Sequence, residues 1–159
     1  MQQIHEAALA GNLGEVERLV LDCKVPVDSP TSCEEEWTPL IFAAKEGHIK
    51  VVEFLLEHGA KAQPEKESRH YPLRAATLGG YLEISKLLVE NGADLNQPSF
   101  GNRTPLQGAV YKNHPELVSW LVNQGAKDEI VNSFGETATD IAKLKGFEEC
   151  LKALAPLNE

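Results

Sequence analysis

No run of 18 apolar residues occurs in the chain, so no segment reads as a membrane-crossing helix. The first residues, MQQIHEAALAGNL, lack a basic stretch followed by an apolar one, so no secretory leader is expected. Cysteine is scarce and odd in number: Cys23, Cys33 and Cys150 form no CxxC pair and no zinc-like spacing with histidine. That usage suits reduced thiols and places the chain in the cytoplasm or nucleus. Cys23 and Cys33 flank one segment, and a disulfide between them is not expected there.

Catalytic signatures are missing as well. There is no GxxxxGK[ST], GxGxxG, HExxH or GxSxG. His5, His48, His58, His70 and His114 are scattered, and His48 and His114 fall in one repeating column, which marks them as structural. No catalytic residue, metal site or cofactor is expected, and an enzyme is not the reading. The net charge of −9 would repel a phosphate backbone, so nucleic acid is not an expected ligand either.

What the chain does have is a period. Pro39, Pro72 and Pro105 lie 33 residues apart, as do Gly59, Gly92 and Gly125, each followed by alanine. Ala43, Ala76, Ala109 and Ala142 keep the same interval. Three columns in one register define a repeat protein. Within each copy, Thr38 or Thr104 can cap a helix whose first residue is proline. A second helix carries apolar residues on most of its surface and a narrow polar stripe: Lys50, Glu53, Glu57, then Glu83, Lys86, Glu90, then Glu116, Ser119, Asn123. The glycine after it stops the helix in the left-handed conformation. Neither helix can bury its apolar surface alone, so the copies must stack.

The copies TPLIFAAKEGHIKVVEFLLEHGA, YPLRAATLGGYLEISKLLVENGA and TPLQGAVYKNHPELVSWLVNQGA resemble the ankyrin repeat, and the resemblance covers nearly the whole chain. It implies an all-α fold: a solenoid of about five stacked helix-turn-helix repeats with projecting β-hairpin fingers. One domain spans 1–159, with repeats at about 1–36, 37–69, 70–102, 103–135 and 136–159. The terminal copies read as caps. IHEAALAGNLGEVERLVL aligns at an offset of 36, and His5 matches the histidine that often follows TPL in this family. TATDIAKLKGFEECLKALA keeps Thr137 and Ala142 without the proline. Tyr71 replaces the capping threonine in the third copy, and the finger QPEKESRH lacks a glycine turn. The junction between the second and third copies is therefore the expected weak point.

The resemblance also implies partner binding on a concave face built from fingers and first helices. Helix positions on that face are Leu9, Ala10, Lys45, Glu46, Leu78, Gly79, Tyr111, Lys112, Leu144 and Lys145. Finger positions include Glu34, Glu35, Trp37, Glu67, Ser68, His70, Phe100, Gly101, Arg103, Ser133, Phe134 and Glu136. Aromatics are concentrated there, although other copies carry small residues in those columns, and aromatics with arginine are the usual anchors of interfaces. The candidate partner-binding residues are Trp37, His70, Leu78, Phe100, Arg103, Tyr111, Lys112 and Phe134, centred on Trp37, Leu78, Tyr111 and Arg103. The competing reading packs Trp37 and Phe134 onto their own fingers. Trp120 and Cys150 align with buried positions and read as core.

Residues 1–36 hold eight acids and two bases, and the run Glu34–Glu36 beside Trp37 suits a partner with a basic segment, or is simply a solvated face. Leu88, Asp94 and Asn96 fit a pattern, LxxxxxDxN, that resembles the target of the asparaginyl hydroxylase acting on ankyrin repeats. The same residues are good repeat consensus, and Asn96 then holds the finger base. The expected function is a non-catalytic scaffold or adaptor binding a protein partner, monomeric on its own and off the membrane. The alternative is a stoichiometric inhibitor or assembly chaperone of an enzyme such as a kinase; a microbial effector is a third.

Overall fold

In the computed structural model, residues 3–31, 36–64 and 69–157 are described. Their helices come in pairs: α1 (Gln3–Leu9) and α2 (Leu13–Leu21); α3 (Pro39–Glu46) and α4 (Ile49–Glu57); α5 (Pro72–Gly79) and α6 (Leu82–Glu90); α7 (Pro105–Tyr111) and α8 (Pro115–Asn123); α9 (Ala138–Lys145) and α10 (Glu148–Leu154). A 3-10 turn, Ala155–Leu157, follows. First helices stack on first helices, α1 on α3, α3 on α5, α5 on α7 and α7 on α9. Second helices form the other layer, with α4 between α2 and α6.

Local chemistry starts each first helix. Thr38 accepts a hydrogen bond from the Ile41 N–H, and Thr104 and Gln107 form a reciprocal capping box. Thr137 and Asp140 do the same in the last copy, although Asp140 stands where glutamine or glutamate is usual. Tyr71 makes no side-chain cap, as its residue type predicts, but its ring is buried. The packing then depends on small side chains. Ala43, Ala76, Ala109 and Ala142 are all fully buried, at 0% exposure, where successive first helices meet.

The turn inside each pair shows a second recurring device. Gly47 and Gly80 sit at φ 81° and 79°, and the next copy lays a ring directly over each. A Cβ on Gly47 would stand 2.5 Å from the Tyr81 ring, and one on Gly80 2.5 Å from the His114 ring. His48 covers Gly11 in the same way, and its Nε2 donates to the Leu9 carbonyl at 2.9 Å. The column shared by His48, Tyr81 and His114 is therefore structural. Asn113 takes the left-handed place in the fourth copy, at φ 59°, and accepts a contact of 3.4 Å from the buried Cys150 thiol. Burial pushes that thiol's pKa up, with Glu149 adding to the effect.

The polar stripe of the second helices faces solvent and carries ion pairs: Glu15–Arg18, Lys50–Glu53, Glu83–Lys86 and Glu149–Lys152, at 2.7–3.1 Å. Pairs this exposed contribute little stability. The fingers are less regular than the resemblance implies. Among the described residues, a single antiparallel bridge occurs, Ser99 with Arg103. Neighbouring fingers are instead tied sideways, Phe100 N–H to the Arg69 carbonyl at 3.0 Å and Ser133 N–H to the Gly101 carbonyl at 2.8 Å. Cys33, Glu34, Glu35, Glu67, Ser68 and much of QPEKESRH lie outside the described residues.

The buried apolar residues form two groups, one from Ile4 to Ala93 and one from Leu106 to Leu154, with the partly buried Leu82 and Leu95 of the third repeat packed against the second. The third pair puts polar residues into core columns: Ser85 where its neighbours have Val52 and Val118, and Thr77 where they have Ala44 and Val110. Both are fully buried and bond back to their own helix, Ser85 Oγ to the Tyr81 carbonyl at 2.8 Å and Thr77 Oγ1 to the Arg74 carbonyl at 3.1 Å. Such bonds satisfy the hydroxyls but add nothing across the junction.

Two stability predictions follow from this packing. Gly80→Ala should cost about 2 kcal/mol or more, because the left-handed backbone penalty is joined by the clash with His114. Gly146→Ala, at φ 68° with no atom within 4 Å of the added Cβ, should cost only about 1–2 kcal/mol. Urea denaturation of both variants checks the difference. Ser85→Val should raise stability by about 0.5–1 kcal/mol by burying apolar surface in the column that Val52 and Val118 hold in the neighbouring repeats, read as a higher midpoint in the same experiment.

Candidate functional site: the concave groove

The 33-residue period sorts the groove into columns. On the finger side stand Trp37, His70, Arg103 and Glu136. On the helix side stand Lys45, Leu78, Tyr111 and Leu144. Between them, from the first turns of α3, α5 and α7, come Ile41, Arg74 and Gln107. Two hollows occupy this groove. One, of about 520 Å³, is lined by residues including Leu78, Tyr111, Lys112, Phe134, Glu136, Leu144 and Lys145. The other, of about 250 Å³, is lined by Trp37, Ile41, Lys45, Arg69, His70 and Phe100 among others. Arg74, Leu78 and Arg103 belong to both, so the hollows meet over these three side chains.

All eight candidate residues from the sequence line one hollow or the other. They are not equivalent. Trp37 is half-buried, packs against the core, and lies 5.0 Å from the Phe42 ring and 4.6 Å from the His70 ring. Its ring forms part of the groove wall. Phe134, Phe100 and Tyr111 are instead 72%, 61% and 50% exposed, and Leu144 is 77% exposed. Large apolar side chains left this open on one face are what interaction surfaces require. Cations sit over the rings: Lys145 over Tyr111 at 4.1 Å, Arg69 over Phe100 at 4.5 Å and Lys45 over Trp37 at 5.8 Å.

The charge of the groove runs opposite to that of the chain. Lys45, Arg69, Arg74, Arg103, Lys112 and Lys145 line the two hollows, with Glu136 the one carboxylate among those lining residues; Glu46, next to them on the same face, pairs with Lys45 at 3.0 Å. The Glu136 carboxylate is already engaged, accepting from Asn132 Nδ2 at 2.9 Å. The acidic run that pointed to a basic partner segment leaves Glu36 half-buried at φ 52° and the other two glutamates outside the described residues.

Arg74 is the residue that sequence reasoning missed. Its column holds Ile41 and Gln107 in the neighbouring copies, and a long cation in such a column was the available signal. Gln107 is buried and saturated: it closes the Thr104 capping box and donates to the Ile130 carbonyl at 2.6 Å. Arg74 Nε is buried with no hydrogen-bond partner among the described residues. Desolvation, with the nearby Arg103 charge adding to it, pulls its guanidinium down to about 10.

Outside the groove, Asn96 ties repeat to repeat. Its Oδ1 accepts from the Lys127 N–H at 2.8 Å, its Nδ2 reaches the Gly125 carbonyl at 3.5 Å, and Asp94 holds its backbone N–H at 2.8 Å. Gln63 serves the preceding junction from the equivalent position, accepting from the Asp94 N–H at 3.1 Å. Trp120 packs against the second core cluster. Among the described residues, no cluster of histidine, cysteine and carboxylates could hold a metal ion. No helix among them is long and apolar enough to cross a membrane.

The two classes of groove aromatic should separate in a melting experiment. Trp37→Ala should destabilise by about 2 kcal/mol through lost ring packing, whereas Tyr111→Ala and Phe134→Ala should each change stability by less than about 0.5 kcal/mol.

A family model for ankyrin repeats in three copies matches residues 4–99, and one for the single ankyrin repeat matches residues 101–133. The chain is also similar to the horse (Equus caballus) protein named ankyrin repeat, SAM and basic leucine zipper domain-containing protein 1, with 41% identity over 63 residues. That match covers 40% of this chain and 13% of the horse protein, so the likeness extends to only a small part of the relative.

Proposed function

Because this chain belongs to the ankyrin repeat family, whose repeats generally serve protein–protein interaction, we propose that it is a non-catalytic scaffold or adaptor that seats a segment of a partner protein in its concave groove. The observation that carries this reading is the row of exposed apolar side chains, Phe100, Tyr111, Phe134 and Leu144, along two confluent hollows. Rigid first helices hold one wall and laterally bonded fingers the other, so a partner would meet a preformed surface and lose little to ordering it. Blocking an enzyme such as a kinase, or chaperoning its assembly, would use the same face. The opposite face carries paired charges on the second helices, which supports one partner surface better than two. A setting in the cytoplasm or nucleus, where Cys150 stays a thiol, goes with this reading.

Affinity purification of tagged wild type beside a Tyr111→Ala/Phe134→Ala variant, read by mass spectrometry, tests it. A partner captured by wild type and lost with the equally stable variant is the expected result. Partners retained by both would move the binding surface away from the groove. Hydroxylation of Asn96 is a separate proposal: intact mass of protein from its native cell should show one added oxygen, and an unmodified mass ends it.

A further inference from the structure

Three local costs converge on Arg74. Its side chain lies across α7 where that helix has Gly108: a Cβ there would stand 2.8 Å from Arg74 Nη1 and 3.1 Å from its Cζ. A glycine inside a helix is destabilising relative to alanine, and here it makes room for the guanidinium. The side chain is partly buried, and its Nε is shut off from water with no hydrogen-bond partner among the described residues. A second cation, Arg103, lies close enough to act on its charge and lines the same two hollows. No carboxylate among the described residues forms an ion pair with either arginine. A helix glycine, a buried guanidinium nitrogen left unpaired and a like-charged neighbour are each unfavourable in the free protein. Local rules broken together at one place, with no gain to the fold, are characteristic of a site shaped for a ligand.

The arginines stand where the two hollows meet, with apolar surface on both sides: Trp37 and Phe100 toward one end, Tyr111, Phe134 and Leu144 toward the other. A guanidinium presents donors in a fork that matches a carboxylate. We propose that Arg74 and Arg103 form an anion-recognition site that reads an aspartate or glutamate side chain of a partner segment whose bulky apolar residues fill the flanking hollows. Charge complementarity selects the occupant. The groove is cationic within a chain of net charge −9, which suits a short segment with one or two acids and disfavours a polyanion such as nucleic acid. The site deepens the groove reading above and rests on it.

The test pans a random peptide library displayed on phage against the full chain, against Arg74→Met/Arg103→Met, and against Tyr111→Ala/Phe134→Ala. Enriched peptides are then measured by fluorescence anisotropy at low and high salt. The expected result is enrichment of acidic residues beside large apolar ones. Arg74→Met alone should weaken the best peptide at least about tenfold, as should replacing its acid with the amide, and binding should fall with salt. The Arg74→Met protein should melt at or above the wild-type temperature, because an apolar side chain of similar length replaces an unpaired buried charge. Peptides without acidic preference that are lost only with Tyr111→Ala/Phe134→Ala would overturn the anion site while leaving the groove in place. Peptides indifferent to both variants, or no enrichment, would sink both. Single-stranded DNA binding more tightly than any peptide would overturn the proposal in favour of a nucleic-acid surface.

Discussion

Every α-helix among the described residues is seven to nine residues long, too short to persist alone in water. Stability must come from stacking, and stacking depends on how closely the first helices approach. Fully buried alanine at Ala43, Ala76, Ala109 and Ala142 sets that approach. A larger side chain in this column would push two repeats apart and open the turn contacts at Gly47 and Gly80, where the covering rings leave no space for a Cβ. The rest of the molecule depends on this spacing, including the groove, whose columns register only because each repeat is translated by the same step.

A regular lattice also makes irregularities informative. Ser85 and Thr77 put hydroxyls into core columns that are apolar in the neighbouring repeats, and each bonds back to its own helix. Gly108 interrupts a helix face to admit Arg74. Asn113 takes a left-handed turn position that glycine holds elsewhere. In a protein whose repeats contact only their neighbours, such local departures act locally. A weak junction or a charged pocket can therefore be placed at one level of the stack without disturbing the others.

The groove pairs two kinds of side chain with different tasks. Trp37 is fixed by Phe42 and His70 and gives the wall its shape. Tyr111, Phe134 and Leu144 are largely exposed and remain open. Separating structure from contact in this way lets one surface be held rigid while its exposed residues vary, which is how a single repeat architecture serves many partners.

The sequence by itself determined the period, the helix pairs and the columns. Proline, alanine and glycine at 33-residue intervals have direct backbone and packing consequences, which require no knowledge of distant contacts. The same register placed all eight candidate groove residues, because a repeat translates sequence position into position along the stack. Tertiary structure alone decided the rest. Whether Trp37 is wall or anchor depends on Phe42 and His70, and sequence spacing says nothing of ring contacts. That Ser85 and Thr77 are fully buried and satisfied by their own helix is visible only once the neighbouring repeats enclose them. The weight of Arg74 came from Gly108 and Arg103, 34 and 29 residues away in the chain. Desolvation and like-charge proximity are properties of a neighbourhood, and a neighbourhood exists only after the repeats have stacked.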